Sequence, residues 1–342
     1  MRTLLSILLV GVLFFSCNDD ESERLAFENG KNTENNEEAT KDTDYHAKEF
    51  LQDAKNSLKQ EVILNTSQLP YVLTLKEGTE ITIPAGAFTK DGVLISGEFT
   101  VVVYEMLKPS SMILSGTNTN YNNGAIFESD GFIFIDVKQN GVSVDQNLSS
   151  PVTVSIPTDK PDGTFTNLWI GNEEAGENGD QFAWDDLDKE NNNGIINEEN
   201  GAFARNGSFQ FLIGKLGWIN CDVFWNSING MTTVTVKIYG DFSELASYLG
   251  YQGDTFVFFR AKGILVLAQL YTIVDGNTVK SYDNSVPIGS EGMMIAYSVK
   301  EGTYTYAEKE VTITSDISID LNLKEITKEE LEGKIKALDT YK

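Results

Sequence analysis

Glu80-Ile81-Thr82-Ile83-Pro84 and Phe99-Thr100-Val101-Val102-Val103-Tyr104 decide the class of this fold. Both are short and rich in β-branched residues, and the first alternates polar with apolar side chains, which is the signature of strands with a buried face. Gly78, Gly86, Gly92 and Gly97 punctuate the chain around them as turn residues. Tyr71-Val72-Leu73-Thr74-Leu75 precedes them, and Gly131 to Val137 and Val152 to Ile156 continue the series. Strands at this spacing, with no helices between them, predict a sandwich and not a parallel sheet.

The pattern repeats downstream in Thr232 to Tyr239, Thr255 to Arg260, Ile264 to Val274, Gly292 to Lys300 and Glu310 to Leu323. Helical spacing occurs only at the two ends of this region. Phe50, Ala54 and Leu58 recur every four residues, with His46 one turn earlier, and His46 reads there as a surface or packing residue. Thr327 with Glu330 forms a capping box before the stripe Leu331, Ile335 and Leu338. The expected fold is mostly β, with two antiparallel β-sandwich domains in tandem, a short N-terminal helix and a C-terminal helix. Its divisions are a leader over 1–17, a disordered acidic tether over 18–44, a helix over 45–61, a first sandwich over 62–207 with an acidic insert at 172–200, a second over 208–325, and a helix over 326–342.

The leader has a basic residue, Arg2, then an almost uninterrupted apolar run from Leu4 to Phe15, closed by Ser16-Cys17. A permanent span needs roughly 20 apolar residues, so a cleaved export signal is the better reading. Leu13-Phe14-Phe15-Ser16-Cys17 departs from the strict lipobox in its two phenylalanines but resembles the looser lipoboxes of Bacteroidetes-type bacteria. That resemblance implies lipidation of Cys17 and a membrane partner reached through the anchor; the competing reading is an ordinary secretory signal. Asn18-Asp19-Asp20-Glu21-Ser22-Glu23 resembles the acidic export signal of the same group, which implies that Asp19, Asp20 and Glu21 direct the protein to the outer membrane surface. The same residues also begin a solvated tether poor in large apolar side chains.

The net charge of −25 repels nucleic acid and anionic lipid surfaces, which removes both as partners. Asn18 to Asp44 carry −7 of it and Asn172 to Asn200 carry −9. His46 is the only histidine, so a two-histidine metal site and most serine or cysteine hydrolase arrangements are excluded. With Cys17 lipidated, Cys221 has no disulfide partner within the chain.

Gly78 to Phe88, followed by Ser96-Gly97-Glu98-Phe99, Leu114-Ser115-Gly116 and Glu128-Ser129-Asp130-Gly131-Phe132, resembles the ZU5-like β-sandwich segment of Bacteroidetes surface proteins over about Leu73 to Pro157. The resemblance implies a fold and an interaction role, not an activity. Lys215 to Asp222 looks like the string that follows such segments. The remainder is similar to carboxypeptidase-regulatory-like or Ig-like sandwiches.

Oxygen ligands crowd Trp184 to Glu199, as a calcium loop requires. A regular loop with Gly194 as its glycine would place Lys189 at the first ligand position, where it cannot coordinate. A looser calcium site would use Asp186, Asp188, Glu190, Asn192 and Asn197; the alternative is a solvated acidic loop. Asn220-Cys221-Asp222 invites a thiol reading, against which stands the tendency of unpaired cysteines to be buried, with Trp218 and Trp225 expected in the same core. Tyr121, Trp169 and Trp184 are candidate sugar-stacking rings, or caps on the ends of the core.

The function expected from these features is an exported, lipid-anchored outer-membrane protein, not an enzyme, that binds an extracellular protein or polysaccharide or builds an envelope structure. A calcium-dependent adhesion or carbohydrate-binding protein is one alternative. A glycoside hydrolase using carboxylates alone is another.

Overall fold

The computed structural model describes residues 44–121, 124–175, 181–186, 201–246 and 253–342. The leader, Cys17, Asp19, Asp20, Glu21 and the tether up to residue 43 lie outside them. The described chain is mostly β, with two sandwiches, an N-terminal helix and a C-terminal helix.

One layer of the first sandwich pairs, in order, Gln60–Asn65, Glu98–Met106, Phe127–Gln139, Gly217–Phe224 and Phe165–Ala175. The opposing strands are Tyr71–Thr74, Glu80–Ile83, Asn147–Pro157 and Ser208–Lys215. Gly201–Arg205 joins the layers by pairing with both Phe165–Ala175 and Ser208–Lys215. The chain crosses tightly there: a Cβ on Gly201 would lie 2.4 Å from the Thr166 carbonyl oxygen. Period-two alternation sends Phe99, Val101 and Val103, then Ile133, Ile135 and Val137, into a core faced by Ile81, Ile83, Val152, Val154 and Ile156. Residue 208, where the sequence reading places the change of sandwich, lies inside this sheet system, since Ser208–Lys215 pairs along Asn147–Pro157 and Gly217–Phe224 along Phe127–Gln139.

The second sandwich follows the order Leu267–Leu270, Thr255–Ala261, Glu291–Lys300, Thr303–Thr312, Ser318–Ile326, Thr235–Gly240, Thr278–Lys280 and Thr272–Asp275. Ser318–Ile326 bridges its layers, antiparallel to Thr303–Thr312 through its end and parallel to Thr235–Gly240 through its start, so one pairing departs from the expected antiparallel pattern. Val236, Ile238, Val257, Phe259, Met294, Ile319 and Leu321 fill its interior, with Trp225 stacked on Phe259 at 6.0 Å.

Between the sandwiches lies a third apolar layer containing helices α1 (Ala47–Leu58), α2 (Pro109–Leu114) and α3 (Lys328–Ala337). It buries Phe50 and Leu51 from α1, Met112 and Ile113 from α2, and Leu331 and Ile335 from α3. The first sandwich contributes Phe132, Trp169, Trp184 and Trp218, and the second Phe256, Phe258, Ile295 and Tyr297. Thus Phe132 to Ile135, in the middle of Phe127–Gln139, and Phe256 to Phe259, within Thr255–Ala261, turn apolar side chains to both faces, which is why they read as unbroken apolar runs. The C-terminal helix has the expected capping box, Glu330 N donating to Thr327 Oγ1 at 3.1 Å and Thr327 N to Glu330 Oε2 at 2.8 Å. After it, Asp339 accepts from Ser110 N at 2.9 Å and Ser110 Oγ at 2.7 Å, satisfying an otherwise free donor in the first turn of α2.

The sandwiches are also laced by hydrogen bonds. Thr119 N donates to Leu267 O and Leu267 N to Thr119 Oγ1, both at 3.0 Å. Gln269 N donates to Asn120 Oδ1 at 2.8 Å, and Asn120 Nδ2 returns a bond to Gln269 O at 2.9 Å. The Asn-rich segment therefore covers an edge strand whose backbone groups would otherwise be unpaired.

Candidate functional site

Among the buried polar groups, two clusters of different character stand out. The first is on Gly217–Phe224, where Ile219 and Cys221 face the first core while Trp218 faces the central layer. Trp225 lies in the second core, so the three residues expected together occupy three different apolar clusters, because alternation and the exit of the strand separate them. Asn220 and Asp222 are fully buried, and Asn220 Nδ2 donates to Asp222 Oδ2 at 2.6 Å. A bulge opposite them, eased by Gly131 at φ +107°, lets Ser129 also bond the Asp222 carboxyl. Asp222 Oδ1 and Asn220 Oδ1 have no partner among the described residues. Burial pushes the Asp222 carboxyl well above the usual range and raises Asp130 to about 6. Burial also pushes the Cys221 thiol up, the opposite of what a nucleophilic thiolate requires. Raised carboxylates can mark active sites, but Asp222 has no exposed surface through which to meet a substrate.

The second place is the open end of the second sandwich. Register puts Val257, Ala296 and Ala307 side by side in one row, and two residues further along the same strands Thr255, Ser298 and Thr305 form the next. The apolar interior thus ends in a row of hydroxyls. Beyond it the strands Glu291–Lys300 and Thr303–Thr312 turn through Glu301 (φ 49°) and Gly302 (φ 67°), both left-handed as a two-residue hairpin turn demands. From the opposing layer the chain leaving Thr235–Gly240 brings Asp241, Phe242 and Ser243 across the end. Together these segments enclose a cleft of about 180 Å³. Ser243 N donates to Ser298 Oγ at 3.3 Å, and Thr255 Oγ1 donates to Ser243 O at 3.0 Å. Thr305, only 3 % exposed, borders the cleft, and its Oγ1 is buried without a partner among the described residues.

Asp254 stands behind the cleft. Its Oδ2 accepts from Ser243 Oγ at 2.9 Å and contacts His46 Nδ1 at 3.0 Å, and its Oδ1 accepts from Ala47 N at 3.4 Å at the start of α1. The hydrogen bond to Asp254 raises the His46 pKa above the ordinary imidazole value. Serine, histidine and aspartate thus meet, but both the hydroxyl and the imidazole address the carboxylate, so the serine lacks the general base that nucleophilic attack needs. The carboxylate orients the loop and caps the helix.

The aromatic candidates lie in the central layer. Tyr121 and Trp169 have ring centroids 5.3 Å apart, packed with Phe127 and Phe224, while Trp184 sits 5.2 Å from Phe132 and is 1 % exposed. Stacking on a sugar would need an uncovered ring face, and protein covers these. Of the candidate calcium ligands, Asp188, Glu190, Asn192 and Asn197 lie outside the described residues, and Asp186 is described only as part of the strand Gln181–Asp186. Among the described residues no cluster of three metal-ligating side chains occurs. The cleft residues gave no motif; their sequence signal is the replacement of apolar by hydroxyl residues at the ends of inward-facing rows. Comparison with known protein families, curated proteins and solved structures finds no match to this chain.

Proposed function

We propose that this chain is exported, lipid-anchored at Cys17 and held at the outer-membrane surface, where it serves as a non-enzymatic binding or structural module for an extracellular protein or polysaccharide. The apolar leader, the Ser16-Cys17 junction and the acidic run Asp19, Asp20 and Glu21 support the address. The observation that carries the role is the cleft at the end of the second sandwich. It collects hydroxyls and carboxylates, yet its serine is bonded to Asp254 and not to a base. Aromatic packing between the sandwiches favours presentation of that cleft on a stiff body.

Metabolic labelling with a palmitate analogue tests the anchor: the wild type takes up label and Cys17→Ala does not. Protease shaving of intact cells tests the address, with digestion expected. Protection of the protein in intact cells overturns surface display while leaving lipidation standing.

A further inference from the structure

We infer that Asp222 is a proton-operated latch on the seam between the two sandwiches: the seam is shut while the carboxyl holds a proton, and loss of that proton on the alkaline side parts the second sandwich from Ser129 and Thr119. The inference goes beyond the binding-module reading and does not depend on it. Alternation along Gly217–Phe224 turns Trp218 to the central layer, and it puts Asn220 and Asp222 on that same face, the one the second sandwich covers. Ser129, opposite Asp222 in the register, joins the two. Its hydroxyl bonds the Asp222 carboxyl, and its N–H donates to Leu265 O of the second sandwich at 2.8 Å. Thr119 N, which donates to Leu267 O at 3.0 Å, continues the seam.

What faces the carboxyl decides its charge. On Phe127–Gln139 the titratable neighbours are Glu128 and Asp130, and Glu128 is engaged by Lys160 Nζ at 2.6 Å. From Phe165–Ala175, Trp169 Nε1 donates to the backbone oxygen of Asp222 at 3.1 Å and not to its side chain. Across the seam, Arg260 is bonded to the carbonyls of Ala261 and Ile264, and Lys262 Nζ to Glu291 at 3.4 Å. On the same strand Cys221 faces the first core. None of these cations is paired with Asp222, whose Oδ1 has no donor among the described residues and which is fully buried. A charge there would be neither paired nor solvated, so the closed fold keeps the proton. Asp130, raised to about 6 by burial, is ionised above that value and adds a like charge that holds the Asp222 proton more firmly.

Water must reach the carboxyl before it can ionise, and the cover it has to part is the Ser129–Leu265 contact. In the open seam Asp222 takes the ordinary carboxyl value of 3.8, while in the shut seam burial holds it well above that. Its contribution to closure is therefore complete below the ordinary value and is lost as pH rises toward the closed one. Between the two, each opening releases one proton, so the opening constant rises about tenfold per pH unit. Asp130 adds to that slope only up to about 6, which leaves Asp222 as the group that titrates the seam from pH 7 to 9.

Hydrogen exchange of the full-length protein in detergent from pH 7 to 9, followed by mass spectrometry of its peptides and corrected for the intrinsic rise of amide exchange with pH, tests this. Peptides carrying Thr119, Ser129 and Leu267 should lose protection about tenfold per pH unit. They should also exchange faster than the peptide from Val152 to Ile156, in the far layer of the first sandwich. Asp222→Asn should flatten the dependence, whereas Asp130→Asn should keep it, since Asp130 is already ionised in this range. Seam protection that does not change between pH 7 and 9 in the wild type overturns the inference, whether or not Asp222→Asn folds. So does a slope that survives in Asp222→Asn, and so does exchange of the seam at the rate of Val152 to Ile156, which would make the opening global unfolding.

Discussion

The strand Glu291–Lys300 serves two regions that treat polar atoms in opposite ways. Through Ile295, Tyr297 and Val299 it helps to build the central layer, where Tyr297 stacks on Phe256 at 5.3 Å and meets Phe50 edge-on at 6.5 Å. Through Ala296 and then Ser298 it runs along the other face from the second core into the hydroxyl-lined cleft. The central layer is deep and its polar inclusions, Asn220 and Asp222, are sealed; the cleft is shallow, and beyond its buried hydroxyl row the exposed Asp241, Lys300 and Glu301 face solvent. The orphaned oxygens of Asn220, Asp222 and Thr305 are all buried, and each is a cost of specifying one packing.

The largest expected effect tests the sealed side. Trp184→Ala or Phe132→Ala should cost about 3–5 kcal/mol in denaturant unfolding, because each leaves a large cavity in a layer that both sandwiches share. A loss below about 1 kcal/mol would show that the sandwiches do not depend on one another. Next comes Asp130, at the border of the sealed region. Its carboxyl is raised to about 6 by burial, so its stabilising contribution is complete below the ordinary value of 3.8 and is lost as pH rises through about 6. Asp130→Asn should accordingly stabilise the protein by about 2–3 kcal/mol at pH 8 and by much less at pH 4. Equal effects at the two pH values would place Asp130 in water.

On the open side, Thr305→Val should leave unliganded stability unchanged or raise it by up to about 1 kcal/mol, since it removes a buried hydroxyl with no partner among the described residues. A fall in melting temperature of several degrees would give Thr305 a structural role instead. The smallest effect concerns His46 and Asp254. The His46 pKa is raised, so the contact stabilises fully below pH 6.5 and fades as pH rises through the folded value. The imidazole side chain is 37 % exposed, which limits the contribution to a few tenths of a kcal/mol. His46 is the only histidine, so its NMR titration is unambiguous, and Asp254→Asn should move its pKa down toward 6.5.

Alternation made the two sandwiches legible, and the capping box at Thr327 with the stripe Leu331, Ile335 and Leu338 gave the last helix and its packing face. Alternation alone does not disclose the layer between the sandwiches, although that layer leaves a trace: Gly131 to Ile135 and Phe256 to Phe259 lack the polar alternate face of a two-layer sandwich. Partners for those faces come from helices distant in sequence, and periodicity within a segment says nothing about what covers it. For the same reason Trp169 and Trp184, beside an acidic stretch, suggested binding rings, while Tyr121, Phe127 and Phe224 pack on the first, Phe132 packs on the second, and both are buried in the central layer. The cleft was hidden because Thr255 lies far along the chain from Ser298 and Thr305, and the three meet only through strand register.

The way the chain enters the fold has a mechanical consequence. A pull on Asp44 is met first by Gly302 N bonded to Tyr45 O at 2.9 Å and by the His46–Asp254 contact at 3.0 Å, and then by Phe50 and Leu51 in the central layer. Helix α1 must therefore peel away before tension reaches Gln60–Asn65, the edge strand of the first sandwich. Its release lets out about 50 Å of chain, leaving every sheet intact. The first element to yield is also the one whose start Asp254 caps from behind the cleft, so force on the N-terminal side is transmitted to the cleft wall before it reaches any strand.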